Sequence, residues 1–190
     1  MTTTLHTARL IEKYYADNPI AWKILLDHSR QVTKKALKIG RYLRAKGVEV
    51  DLQFVAEAAI LHDIGMIETD TPELGCHGQS PYLQHGLRGK EILEQEGLFR
   101  HARVSERHIG VGLTAKEIEE QQLPLPTRDM CPETLEEQIV CYADLFYSKG
   151  GQNRGGEISP DEIRDKLKEY GNDKVEIFNR WYKQFEPDPE

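Results

Sequence analysis

The sequence predicts an all-α protein, a single domain of about seven helices, and three observations predict it. Apolar residues recur at steps of three and four along nearly the whole chain, and none alternates over any length as a half-buried strand would. Helix starts are well marked, at Asp51, Ser80-Pro81 and Ser159-Pro160. A length of 190 residues suits one well-filled domain. The expected division is an N-terminal helix over residues 1–20, a core over 21–150 and a helical extension over 151–190 packed on the same domain.

Leu10, Ile11 and Tyr14 mark a first helix that stops before Asn18-Pro19. In the second, Leu25, His28, Val32, Ala36, Ile39 and Leu43 share one face, and Gly47 is a natural stop. His28 therefore lies in line with core residues, opposite Lys34, Lys35 and Arg41. Alone it reads as a core histidine with a hydrogen-bonded ring, and only other ligand-type residues change that.

Asp51 caps the third helix, which carries Leu52, Val55, Ala59 and His62 inward. It ends in AAILHDIG, Ala58–Gly65, with His62 and Asp63 adjacent at its buried end. Two buried polar side chains are costly without partners, and a divalent cation suits both imidazole and carboxylate. Met66–Ser80 is polar, with Pro72 and two glycines, and reads either as a loop covering substrate or as a passive connection.

Ser80-Pro81 is expected to open the next helix, with His85, Gly89 and Ile92 on one face. Gly86 and Gly89 weaken a helix, which predicts the close approach of another element. Leu98–His108 follows, with Leu98, Ala102, Ser105 and His108 on one stripe. His101 stands one heptad before His108, ~10 Å along the axis, too far to share an ion with it. It is read as surface first and site second, while His6 and His77 are assigned to the surface.

Ile109–Cys131 is irregular, with a short turn at Thr114–Glu120 that has capping-box spacing at Thr114 and Glu117. Pro132 is expected to start a helix with Leu135, Ile139, Tyr142 and Phe146 facing the core. Asp144 sits beside that face in IVCYADLF, an anomaly unless a cation meets it. Ser148–Ser159 holds four glycines and is expected to be mobile. Ser159-Pro160-Asp161-Glu162 is a strong helix start, and Gly171 ends that helix. Val175, Phe178, Trp181, Tyr182 and Phe185 give the last helix an aromatic stripe, read as packing first and homodimer contact second.

The formal charge of −7 argues against a nucleic-acid polymer or an anionic membrane as partner. Three cysteines without CxxC spacing form neither a disulfide framework nor a zinc knuckle. No apolar run approaches the roughly 18 residues of a membrane span, and the N-terminus lacks a signal-peptide pattern, so the expected setting is cytoplasmic. A Gly-rich phosphate loop and a nucleophile elbow are both missing from the sequence, so the expected chemistry is direct attack by an activated water.

The order His28, His62-Asp63, Asp144, with HDIG intact, resembles the HD superfamily of metal-dependent phosphohydrolases over about Asp27–Phe146. The resemblance implies that these four residues hold a primary metal, that His62 and Asp63 are the catalytic pair, and that Asp63 bridges to a second ion where one is present. QHGLRGKEIL and RHIGVGLT are similar to the segments that carry further histidines in binuclear members, which makes His85 and His108 ligands of that second metal. These segments are similar to those of symmetrical dinucleoside-tetraphosphate hydrolases and of archaeal and bacterial HDIG proteins of unassigned function. The chain lacks the GYP motif and histidine doublet of the cyclic-di-GMP branch, and the synthetase half of the stringent-response enzymes.

The implied cofactor is one or two divalent ions among Fe, Mn, Zn, Ni and Mg. The implied substrate is a small phosphorylated metabolite, a nucleotide or dinucleotide, with Arg88, Arg107 and Lys149 as phosphate contacts or else ordinary solvated charges. Two alternatives stand beside it: an HD-fold di-iron oxygenase, and a non-catalytic metal-binding scaffold.

Overall fold

The computed structural model describes residues 2–150 and 156–187, with side chains from Thr7 onward. Its helices are α1 (Thr2–Tyr15), α2 (Pro19–Ala45), α3 (Leu52–Leu61), α4 (His85–Gln95), α5 (Phe99–Arg107), α6 (Ala115–Glu120), α7 (Leu135–Asp144), α8 (Pro160–Lys168) and α9 (Asn172–Phe185). The nine helices among the described residues exceed the expected seven or so, in part because the turn at Thr114–Glu120 closes into α6 with its capping box formed. A two-stranded antiparallel pair, β1 (Asp70–Thr71) with β2 (Cys76–His77), is the sheet among the described residues. Residues 151–155 of the glycine-rich stretch lie outside the described residues, and the expectation of mobility lies there with them.

Capping follows the sequence. The Asn18 side chain accepts from the Ala21 amide, Asp51 from Phe54 and Ser159 from Glu162, while Gly47 takes φ 84° just past the end of α2. Two helix starts differ from expectation. Ser80 does not cap α4: its backbone pairs with Glu68 and Asp70, and its hydroxyl accepts from Arg88 Nε at 2.7 Å. A 3-10 turn over Tyr82–Gln84 intervenes, and α4 begins at His85. Thr134, not Pro132, opens α7, its hydroxyl accepting from the Glu137 amide.

Met66–Ser80 is neither a cover nor a slack connection. Met66, Thr69, Thr71, Leu74 and Cys76 are buried, so the stretch is folded into the body of the protein. On α1 it is Tyr15, not Tyr14, that reaches the core, and its hydroxyl donates to Ile64 O at 2.9 Å and accepts from the Ile67 amide at 3.1 Å.

Two apolar clusters make the interior. One joins α1, the first half of α2, Leu61, Ile64, Met66, Ile92, Leu93 and Ala102. The other joins the second half of α2 with α3, α7, α8 and α9, including Phe178, Trp181 and Phe185. On α2, Leu25 belongs to the first cluster and Val32 to the second, with His28 between them. On α3, Ala59 belongs to the second and Leu61 to the first, with His62 next in line. The polar residues of the HD stretch thus sit at the seam of two apolar bodies, where water cannot replace a missing partner.

Candidate metal centre

At this seam two donor groups share one carboxylate. In the first, His28 Nε2 lies 3.1 Å from Asp63 Oδ2 and 2.9 Å from Asp144 Oδ1. His62 Nε2 lies 3.0 Å from Asp63 Oδ2, 3.3 Å from Asp144 Oδ1 and 3.3 Å from His28 Nε2. In the second, His85 Nε2 and His108 Nε2 are each 3.3 Å from Asp63 Oδ1 and 2.9 Å from each other. Asp63 therefore turns one oxygen to each group. The sets His28, His62, Asp63, Asp144 and Asp63, His85, His108 each hold their donor atoms within 4.8 Å of one another.

Local backbone fixes the rings. His62 Nδ1 donates to Ala59 O at 2.9 Å, His85 Nδ1 to Tyr82 O at 2.7 Å and His108 Nδ1 to Ser105 O at 2.7 Å. A carbonyl only accepts, so each Nδ1 carries a proton and Nε2 is the atom left to offer a lone pair to the centre once it is unprotonated. Ser105 adds a support that the sequence showed only as a position on a stripe: its hydroxyl donates to His62 O at 2.6 Å.

These residues fit a divalent cation. Two bare Nε2 atoms at 2.9 Å repel unless a positive charge lies between them. Among the described residues no hydrogen bond of good geometry reaches Asp63 Oδ1, Asp63 Oδ2, Asp144 Oδ1 or His28 Nδ1, all buried. Donor spacings of 2.9–3.3 Å match neighbouring ligands around one ion held at about 2.0–2.2 Å. With nitrogen and oxygen donors and no thiolate, the set admits Zn, Mn, Fe, Ni or Mg.

Charge is concentrated here. Burial opposes ionisation of Asp63, but His62 and Lys149 outweigh it and hold the carboxyl well below its usual range. Asp144 is held low in the same way, against burial, chiefly by Lys149 and His28. Burial also opposes charging of His62, yet the two carboxylates lift it to about 10, whereas burial dominates at His108 and lowers it to about 4.

A ligand imidazole must be neutral, so cation and proton compete at His62. In the free protein His62 thus contributes stability below its ordinary value of 6.5, lost as pH rises through about 10. The lowered carboxyls contribute above their usual range and lose it in acid. Loading at pH 7 is expected to release about one proton per chain and to tighten as pH rises, with little release from His108. Calorimetry in buffers of different ionisation enthalpy measures this, and pH-independent affinity would contradict it.

Lys149 also reaches the centre, its Nζ 2.7 Å from Asp63 Oδ2 with the side chain 10 % exposed. Burial opposes its charge, but the carboxylates of Asp63 and Asp144 prevail and keep it an ammonium. The Tyr82 ring stacks on His85 at 4.6 Å between centroids; nothing in the sequence singled it out.

Arg88 and Arg107 are not brought in. Arg88 is engaged by Ser80, Glu91 and Gln84, and Arg107 by Glu133 and Glu137. Arg88, one turn from His85, is drawn off by these partners, while Arg107 directly precedes His108 and so points to another side of the helix. His101 is buried rather than superficial, packed edge-on to Phe54 and 3.2 Å from Glu57 Oε2. His77 is exposed, and the side chain of His6 lies outside those described.

The HD domain family model matches residues 25–148, a span that holds every one of the six donors. The chain belongs to the HD domain family. An uncharacterized protein of Methanocaldococcus jannaschii is 39% identical over 121 residues, which is 63% of this chain and 64% of that protein. A tRNA (cytidine(56)-2'-O)-methyltransferase of Picrophilus torridus is 35% identical over 126 residues, 66% of this chain and 32% of that protein. The enzyme of the same name from Thermoplasma volcanium is 31% identical over 140 residues, 73% of this chain and 35% of that protein. The matches thus span less than two thirds of each relative's length. No solved structure matches the chain. The buried histidine–aspartate cluster of this HD domain is one that could hold divalent metal ions. No described helix is long and apolar enough to cross a membrane.

Proposed function

We propose that this HD domain is a phosphohydrolase that cleaves a phosphate ester or anhydride of a small molecule, a nucleotide or dinucleotide, with water as nucleophile. The observation that carries the reading is Asp63, whose two oxygens serve two separate donor groups. His28, His62, Asp63 and Asp144 would hold one divalent ion, and Asp63, His85 and His108 the other. Ions held there supply Lewis acidity towards phosphoryl oxygens and lower the pKa of water.

The chain's own groups do the remaining work. The carbonyls of Ala59, Tyr82 and Ser105 keep the imidazoles oriented. The Lys149 ammonium stands beside Asp63, where it would bind a phosphoryl oxygen and offset charge building on it. A polar cleft of about 480 Å³, lined by Lys23, Asp27, His28, Arg30 and Lys149, leads to the first donor group and suits a phosphate chain.

The test is phosphate release by the metal-reconstituted and the metal-free chain from nucleotides, dinucleoside polyphosphates and a terminally phosphorylated oligonucleotide, with oxygen uptake followed in parallel. Metal-dependent release from the small substrates is expected. Preference for the oligonucleotide would overturn the small-molecule reading, to which the tRNA methyltransferase relatives give a specific alternative. Oxygen uptake would replace hydrolysis by oxygenation. In elemental analysis, His85→Ala is expected to keep the ion of the four-residue group and lose that of the three-residue group. Unchanged metal content would remove the binuclear reading.

A further inference from the structure

Beside the second donor group lies a cleft of about 400 Å³ that the hydrolytic reading does not use. Its walls include Leu83, Ile109, Val111, Leu113, Leu123 and Leu167. Leu83 stands two residues before His85, and Ile109 directly follows His108, so the segments that carry both histidines also form walls of the cleft. We propose that it holds the uncharged, planar ring system of the substrate, a nucleobase, while the phosphate lies at the metal centre. The assignment rests on the phosphohydrolase reading for the other end of the substrate.

Charge decides what the cleft can take. The charged groups lining it, Glu117 and Lys174, are already paired with each other: Lys174 Nζ lies 2.6 Å from Glu117 Oε1 and donates to Gly112 O at 2.8 Å. The cleft therefore presents no free positive charge to a phosphate and no free negative charge to a cation. Its apolar walls favour an uncharged ligand.

Polar edges point to a ring rather than an alkyl chain. Gln121 offers an amide at the rim, which can both donate to and accept from the edge of a base. The Tyr170 ring, 66% exposed, stands at the same rim, where its face is open to stack on a planar ring. Base–aromatic stacking is worth about 1–3 kcal/mol. The size also fits a small-molecule moiety, since such pockets span about 300–1,000 Å³, while a stable protein partner buries about 800 Å² on each side.

The experiment titrates adenosine and guanosine, which lack phosphate, into the metal-loaded chain by calorimetry, beside inorganic phosphate as a separate probe of the centre. Leu123→Trp fills the cleft and leaves every donor residue intact. Expected are nucleoside binding to the wild type, loss of at least about tenfold in affinity in Leu123→Trp, and unchanged metal content and phosphate binding. Tyr170→Ala, a surface change without folding risk, is expected to weaken nucleoside binding several-fold. Equal nucleoside affinity in wild type and both variants, or no nucleoside binding where phosphate binds, overturns the proposal. A concentration-dependent dimer abolished by Tyr170→Ala would assign the cleft to a second copy of the chain and overturn it too. Nucleoside binding lost in Leu123→Trp, with no ester hydrolysed, would uphold the cleft and reject only the hydrolytic reading.

Discussion

Asp63→Ala is expected to abolish phosphate release and to strip metal from both donor groups at once, while the chain stays helical. No other residue has this double effect. Asp63 Oδ2 faces His28 and His62 at 3.1 and 3.0 Å, and Oδ1 faces His85 and His108 at 3.3 Å. Its removal leaves four imidazoles with only Asp144 as a carboxylate partner. It also leaves the Lys149 ammonium without its nearest counter-charge. A fall in turnover of at least about 10³-fold is expected, the upper scale for removing one electrostatic stabiliser from an active site. Elemental analysis and circular dichroism on the same preparation separate loss of metal from loss of fold. Undiminished turnover in a helical Asp63→Ala chain would end the mechanism proposed here.

Gly65→Ala is expected to be strongly disruptive, and to act through packing rather than chemistry. A Cβ at Gly65 would lie 2.0 Å from the Gly89 amide nitrogen, 2.2 Å from His85 O and 2.7 Å from the Arg88 carbonyl carbon. All three are backbone atoms of α4, so no side chain can rotate away and the helix itself must retreat. On its other side α4 is equally close to α5, since a Cβ at Gly86 would meet Ser105 O at 2.5 Å and one at Gly89 would meet Ser105 Oγ at 2.2 Å. Overpacking of a core costs about 1–3 kcal/mol, and an immovable backbone places this site at or above the top of that range. The retreat carries His85 away from Asp63, so the three-residue group should lose its ion before the four-residue group does. Urea midpoints and metal content measure both effects. Wild-type stability together with full metal content would show that α4 does not bear on Gly65 as described.

Much of this protein was legible in the sequence because the physics involved is local. A helical face repeats every three or four residues, and a cap acts over three, so α2, its stop at Gly47, and the caps at Asp51, Thr114 and Ser159 could be read directly. The same periodicity put His28, His62 and Asp144 on or beside apolar faces, where buried polar groups need partners, and the family resemblance implied that the partner is a metal. The directions of Arg88 and Arg107 were not legible: one turn from His85 and adjacent to His108, they read as phosphate contacts or solvated charges, and only their partners in the folded chain draw them elsewhere.

Only the tertiary structure decided what depends on distant parts of the chain. The sequence alone determined the all-α class, the four-residue donor set and the requirement for close approach at Gly86 and Gly89. It did not determine which oxygen of Asp63 faces which histidines, that Tyr82 stacks on His85, that Tyr15 fastens the HDIG turn, or that Met66–Ser80 is buried. These contacts join residues many positions apart, and no local period encodes them. They are fixed by how two apolar clusters close around a shared polar seam, leaving each buried donor facing a partner that only the folded chain can supply.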